Sequence, residues 1–454
     1  MLQLRKNNIL IVVNKCGPII SLLKNFAYIM NIPQVSNPRV VIIGGGFAGI
    51  NLAKALGNKP VQVVLIDKRN YHTFQPLLYQ VSSAGLEPDS IAYPLRKVIK
   101  RYKNIYFRMT KVRNINAKTK QINTDIGDLS YDYLVIATGT KTNYFGNKAI
   151  ETYSMPMKKI PQALNIRSLI LQNFEQAAIT SDKATRKALL NFVIVGGGPT
   201  GVELAGAIAE LKNHILPKDY RDLTPSDMQI YLLEGSSRVL PTMSAESSKK
   251  AARFLNKLGV LVHCNTFVKD YDGKKVTTNL SLKLESETLI WAAGVTGDLV
   301  AGLKAEALME RANRYKVNAY NQVEGYSDIF ALGDIAMMAS EVYPNGHPQV
   351  AQPAIQQGQL LGKNIMKLVQ GKPLKKFKYI DKGSMATVGR NKAVVDLKHY
   401  KFGGFFAWLI WMFVHLMALV GFRNRVVVFV NWCYNYINFD KSARLIIRPF
   451  NKLK

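Results

Sequence analysis

The first strongly patterned stretch of the chain is Arg39–Ile43, an almost unbroken β-branched run. A strand with one wet face alternates apolar and polar residues, so a continuous run predicts a strand buried on both faces. It breaks into Gly44-Gly45-Gly46-Phe47-Ala48-Gly49, and a helical pattern follows through Leu56. Val61–Ile66 is a second strand, ending in Asp67. The same order then repeats. Asn191–Val195 is a strand, Gly196-Gly197-Gly198-Pro199-Thr200-Gly201 a turn, Val202 to about Leu211 a helix, and Gln229–Leu233 a strand ending in Glu234. Asn213–Asp227 contains Pro217 and Pro225 and reads as an insertion after the helix, because proline cannot continue a regular one. Tyr133–Gly139, Ile290–Gly294 and Ile329–Asp334 are further strands that each end in a small-residue turn.

The two Gly-rich turns fit a dinucleotide. Gly44 and Gly196 make the tight turn, Gly46 and Gly198 let backbone approach a pyrophosphate, and Gly49 and Gly201 let helix and strand pack closely. The helix N-terminus offers the phosphates its partial positive charge. Asp67, 18 residues past Gly49, stands where a ribose hydroxyl is held. Glu234 lies 33 residues past Gly201, a longer spacing that the insertion accounts for. A carboxylate there accepts from a free 2′-hydroxyl and repels a 2′-phosphate, so Glu234 favours NADH over NADPH, with Arg238 one turn further on to soften the repulsion. Two such sites imply two dinucleotides, and a hydride donor with a flavin is the natural pair. The expected fold class is α/β: two Rossmann-like dinucleotide-binding domains, one inserted in the other, plus a C-terminal membrane-associating helical segment. The boundaries read as a basic extension over 1–35, the first part of an FAD domain over 36–150, an NADH domain over 151–288, the second FAD part with a quinone-site segment over 289–385, and a membrane-anchoring region over 386–454.

Phe405–Val420 is apolar nearly all round and holds Trp408, Trp411 and His415. Its 16 residues reach roughly 24 Å, short of the ~30 Å hydrocarbon core. A helix lying in the interface therefore fits better than a span, with Trp408 and Trp411 near the headgroups. A second apolar run, Val426–Tyr436, is broken by Asn431. The competing reading is a buried tail docked on the body.

Charge points the same way. The chain of 454 residues carries 61 Lys and Arg against 30 Asp and Glu, a net charge of +31. From Leu397 onward the only acid is Asp440, beside nine Lys and Arg. Basic residues around aromatic, apolar segments suit anionic phospholipid, and no nucleic-acid motif is present. Cys16, Cys264 and Cys433 are too scattered for a disulfide framework or a metal cluster. No acid precedes Asp67, so the first 29 residues read either as a basic targeting leader or as an extension before a start at Met30.

Together these segments resemble the two-dinucleotide-domain flavoprotein reductases, and within them the type II NADH:quinone oxidoreductases, the single-subunit, non-pumping respiratory NADH dehydrogenases. Three features carry the closer resemblance, which covers Arg39 to the C-terminus: Tyr71-His72-Thr73-Phe74-Gln75-Pro76-Leu77-Leu78-Tyr79-Gln80-Val81, similar to a segment beside the flavin ring; Ala351-Gln352-Pro353-Ala354-Ile355-Gln356, similar to a segment between flavin and quinone; and the aromatic, basic C-terminus. The resemblance implies FAD held by Gly44, Gly46, Phe47, Ala48, Gly49, Asp67, Lys68, Phe74, Gln75, Thr138, Gly139, Gly333 and Asp334. It implies NADH held by Gly196, Gly198, Pro199, Thr200, Gly201, Glu203, Glu234, Ala293 and Gly294.

Quinone contact falls to Gln352, Ile355, Gln356 and Lys382, although Lys382 reads equally as a solvated lysine. Glu203 and Gln352 are the implied catalytic residues, Glu203 facing nicotinamide and flavin and Gln352 offering an uncharged donor to a quinone carbonyl. His72 reads as a structural hydrogen bonder, Met385 as core filling, and His415 faces either headgroups or quinone. No metal is expected. The implied partners are a membrane quinone, either ubiquinone or menaquinone, an anionic membrane surface and a second copy of the chain. The implied location is peripheral, on the cytoplasmic face of the inner membrane, or the mitochondrial inner membrane in a eukaryote. Paired redox cysteines, which disulfide and sulfide:quinone reductases require, are missing. Two other functions compete: an NAD(P)H-dependent reductase of a protein acceptor, which has no need of Phe405–Val420, and a non-catalytic NADH-binding membrane redox sensor.

Overall fold

A computed structural model describes residues 30–309, 312–438, 440 and 443–451. Residues 1–29 of the basic extension, with Cys16, lie outside the described residues, as does Lys441.

Arg39–Ile43 is the central strand of a five-stranded parallel sheet, flanked by Gln62–Asp67 and Ile105–Met109 on one side and by Tyr133–Ile136 and Ile329–Ala331 on the other. Its β-branched run serves both faces. Val40 and Ile42 join one apolar cluster with Leu52 and Leu361, while Val41 and Ile43 join another with Ile122 and Tyr315. Asn191–Val195 centres a second parallel sheet of the same size, between Gln229–Leu233 and Thr288–Trp291. Each sheet is accompanied by a three-stranded antiparallel ribbon, 112–130 in one domain and 268–285 in the other.

Three details differ from the sequence reading. Thr288–Trp291 pairs with Asn191–Val195, so the second domain continues past the boundary drawn at residue 289. Ser384–Thr387 pairs with Ala393–Asp396, which pairs in turn with Lys401–Gly404, so the C-terminal unit starts before 386. The segment after the second Gly-rich helix is not wholly irregular. Pro199–Glu210 runs on through a π-helical turn, Leu211–Ile215, into Leu216–Asp219. A wide turn releases one register of backbone bonding, and Pro217 then falls in the first turn of a new segment, where its missing N–H costs nothing.

The C-terminal sheet leads into helices Phe405–Ala418 and Phe422–Asn438. No helix among the described residues is long and apolar enough to cross a membrane. The helix Ala351–Val369 lies on the first Gly-rich helix, Phe47–Ala55, through small residues: a Cβ on Gly358 would meet the Ala48 carbonyl oxygen at 2.5 Å, and one on Gly362 the Ala55 Cβ at 2.5 Å.

Candidate functional site: two glycine cradles and the cleft between them

The two turns are built alike. Gly44 and Gly196 have φ of 114° and 108°, and the backbones of Ala137 and Ala292 approach where a Cβ would stand. A Cβ on Gly49 would meet the Gly44 carbonyl oxygen at 1.9 Å, and one on Gly201 the Gly196 carbonyl oxygen at 1.8 Å. Each helix is thereby pressed onto its own turn. Gly46 and Gly198 instead face open space, and no side chain caps either helix. Uncapped helix N-termini behind glycines that leave room for close approach fit a pyrophosphate. The acids close the turns: Asp67 Oδ2 accepts the Gly45 N–H at 2.7 Å, and Glu234 accepts the N–H of Gly197 and, at 2.6 Å, that of Ser236. Arg238 is turned to the carbonyls of Pro241 and Met243, which occupies the guanidinium expected to soften Glu234. Lys68 pairs with Asp298 at 2.9 Å.

Beside the second cradle lies a cleft of about 630 Å³, lined by Gln75 from the first domain and by Lys158, Thr200, Glu203 and Gly294 from the second. In the first domain, Thr138 Oγ is buried without a hydrogen-bond partner and Gly139 leaves open space. An orphaned hydroxyl beside a glycine turn fits a polar cofactor, so the residues present suit FAD there and NADH at the second turn. Gly333, with φ of 70°, donates its N–H to Gln357 Oε1 at 2.7 Å. Asp334 Oδ2 accepts from Thr140 Oγ at 3.2 Å, and burial raises its carboxyl above the usual range against the pull of Lys158.

Glu203 is buried, with Oε1 facing the Thr387 N–H at 3.4 Å and the Trp411 indole beside it. Burial pushes its carboxyl up to about 8. Tyr79 is buried close by, and its phenol is raised by burial and then by the charge of Glu203. Tyr79 also lines a second cavity of about 850 Å³, walled by Trp408, Trp411, Trp432 and Tyr436.

His72 Nδ1 lies 3.1 Å from the Gly45 carbonyl oxygen, as a structural role requires, and burial lowers its pKa to about 4. His415 hydrogen bonds the Trp411 carbonyl at 2.7 Å and stacks on that indole at 4.1 Å, edge-on to Phe74 at 6.3 Å. It packs against flavin-segment and helix aromatics, and burial lowers its pKa to about 4 as well. Gln352, Ile355 and Gln356 occupy the first turns of Ala351–Val369. Gln356 spends both amide atoms on the backbone of Ile380, at 2.9 and 3.0 Å, whereas the Gln352 side chain makes no hydrogen bond among the described residues. Lys382 is exposed. Trp411, expected near headgroups, is 1 % exposed, because the face of its helix that carries Ala407 and Trp411 packs on the body. Asn431, which interrupts the second apolar run, lies within the helix Phe422–Asn438, and its amide reaches Glu87 at 3.1 Å.

Lys158, Thr387, Trp411 and Gln357 entered the site unannounced. Gln357 adjoins the segment singled out for quinone, and Trp411 sits in the run read as membrane-facing. Lys158 and Thr387 carry no local motif. Cys264 and Cys433 are free, and no group of metal-ligating side chains occurs among the described residues.

Residues 38–358 match the family described as pyridine nucleotide-disulphide oxidoreductase, and residues 382–438 match the NDH2 C-terminal domain. The chain is 38 % identical over 424 residues to the type II NADH:quinone oxidoreductase NdhA of Mycobacterium tuberculosis, covering 90 % of this chain and 89 % of that one. It is 30 % identical over 398 residues to the type II NADH:quinone oxidoreductase of Haemophilus influenzae, covering 80 % and 88 %. An NDH2 of Plasmodium falciparum, solved in complex with NADH, superimposes with a TM-score of 0.83 at 24 % identity, over 91 % of this chain and all of that one.

Proposed function

Because this chain belongs to the type II NADH:quinone oxidoreductases, enzymes that use FAD and NADH and do not pump protons, we propose the following division of labour among its residues. The observation that carries it is the cleft that Gln75 of the first domain lines together with Lys158, Thr200 and Glu203 of the second. Bound FAD supplies a ring that takes hydride from NADH and passes two electrons to quinone. Gly46 and the Phe47 helix hold one pyrophosphate, Gly198 and the Pro199 helix the other, with Asp67 and Glu234 at the riboses. Thr138, Gly139, Gly333 and Asp334 hold the flavin's linking chain, and Phe74 and Gln75 flank its ring. Trp411 and Tyr79 exclude water around Glu203, whose carboxyl keeps a proton at neutral pH. Gln352, with its unengaged amide, is the quinone donor, and Gln356 orders the segment around Ile380.

The C-terminal helices present Phe406, Phe413 and Phe422 outward, 74, 65 and 81 % exposed, with Lys398, Lys401 and Arg423 exposed around them. We read this face as seated in the headgroup layer of an anionic membrane, on the cytoplasmic side, where a lipid-soluble quinone reaches the site. A homodimer is proposed on family resemblance alone and is read by light scattering in detergent.

The test follows NADH and flavin absorbance together in FAD-loaded protein, with and without a short-chain quinone. Flavin bleaching, then sustained turnover only with quinone, is the expected result. Bleaching without quinone turnover would redirect the acceptor to a protein.

A further inference from the structure

Lys158 follows the edge strand Met155–Pro156 of the second sheet, yet its side chain turns to the first domain. Its ammonium lies 3.9 Å from Asp334 Oδ2, and both side chains are 20 % exposed. That separation is too long for a hydrogen bond. Asp334 Oδ2 already accepts from Thr140, and among the described residues the ammonium donates to no acceptor. Burial lowers the lysine's pKa, and Asp334 opposes the shift. A largely desolvated ammonium with three unused donors is costly unless something else receives them. The Lys158 side chain lines the same cleft as Gln75, Pro76 and Leu78 of the flavin segment. The surface pair Lys68–Asp298, by contrast, closes to 2.9 Å.

We propose that Lys158 is a direct electropositive contact of the bound flavin and raises its reduction potential. The proposal rests on the cleft being the flavin site. In the half-reaction, the hydride of NADH delivers two electrons and one proton, leaving NAD+ and a reduced flavin with one negative charge near neutrality. A fixed cation within the cleft stabilises that charge more than it stabilises the neutral oxidised ring, so it acts on the equilibrium and not merely on binding. Asp334 holds the ammonium on the first-domain side, and the loose 3.9 Å pairing leaves it free to donate to the flavin.

The test is a spectroelectrochemical titration of the FAD-loaded enzyme without NADH, beside its NADH:quinone activity. Lys158→Met and Lys158→Gln should each weaken the preference for reduced flavin at least tenfold, a shift of about 30 mV to more negative potential for a two-electron couple. Lys158→Arg should restore most of it. A variant that retains FAD at the wild-type potential overturns the proposal, even if its NADH affinity falls, since that pattern assigns the lysine to NADH. Should neither variant hold flavin, Asp334→Asn carries the test: removing the acid should move the potential positive, and no shift or a negative one overturns the idea. Wild-type protein that bleaches with NADH yet fails to reduce quinone would defeat the acceptor assignment and leave the Lys158 titration standing.

Discussion

At the scale of single residues, the two buried acids of the second domain do different work because their surroundings differ. Glu234 accepts from two backbone N–H groups, which aim it across the Gly197 turn. Glu234→Gln keeps the shape and removes the charge that repels a 2′-phosphate. The ratio of kcat/KM for NADH over NADPH should then narrow by roughly tenfold. An unchanged ratio would remove Glu234 from cofactor choice. Glu203 meets one long backbone contact and an aromatic wall, so burial dominates and its pKa stands near 8 against an ordinary 4.5. The folded state therefore binds the extra proton between those values. Stability from this group is fully present below about 4.5, is lost as pH rises through 8, and each unit of the displacement is worth about 1.4 kcal/mol. Glu203→Gln does not titrate, so its melting temperature should gain on the wild type as pH moves from 5 to 9. A constant gap across that range would show that Glu203 is not held protonated.

At the scale of elements, what was readable in advance was whatever has local chemistry. The glycine turns, the strands on either side and the acids that end them follow from steric needs within some thirty residues, and both cradles formed on those glycines. What was not readable comes from distant segments meeting. Lys158 reaches Asp334 only because Met155–Pro156 pairs with Thr288–Trp291, and Trp411 reaches Glu203 only because its helix docks on the body. The continuation of the second helix through Pro217 was hidden by a π-turn that no sequence period announces. Gly358 and Gly362 are a middle case, unremarkable as a pair until Phe47–Ala55 is laid against them. Gly362→Ala puts a methyl 2.5 Å from the Ala55 Cβ, and overpacking of this kind costs about 1–3 kcal/mol. The same helix holds Gly333 through Gln357, so thermal stability should fall and flavin should dissociate faster, as read by melting and by fluorescence of released FAD. A wild-type melting temperature would mean that the helices part without consequence.

At the scale of the whole molecule, the C-terminal helices dock one face on the body and expose the other. Trp411, Val428 and Trp432 are buried with Tyr79 and Val202 in one apolar cluster, and the Asn424 amide reaches the carbonyls of Asp89, Ser90 and Ala92. An all-round apolar run suits a docked helix on one face, and on the other the membrane contact proposed above. Deleting the region is for that reason a poor test of membrane binding: it would strip Trp411 from Glu203 along with the outward face. Substituting outward residues separates the two. Phe406, Phe413 and Phe422 are 74, 65 and 81 % exposed, so changing all three to Glu leaves the docked face intact. Burial of each ring in a headgroup layer is worth about 1.5 kcal/mol at the low end, and losing three lowers partitioning by roughly a thousandfold, before any repulsion from the new carboxylates. The triple variant should stay in solution when mixed with anionic vesicles that sediment the wild type. It should still reduce a soluble dye with NADH, because neither cradle is touched. Raising salt should weaken the wild type's binding only in part, since screening reaches the exposed Lys398, Lys401 and Arg423 but not the apolar contact. A triple variant that still sediments with vesicles would place the membrane contact elsewhere on the molecule, and one that loses dye reduction would show that the outward aromatics also support the fold.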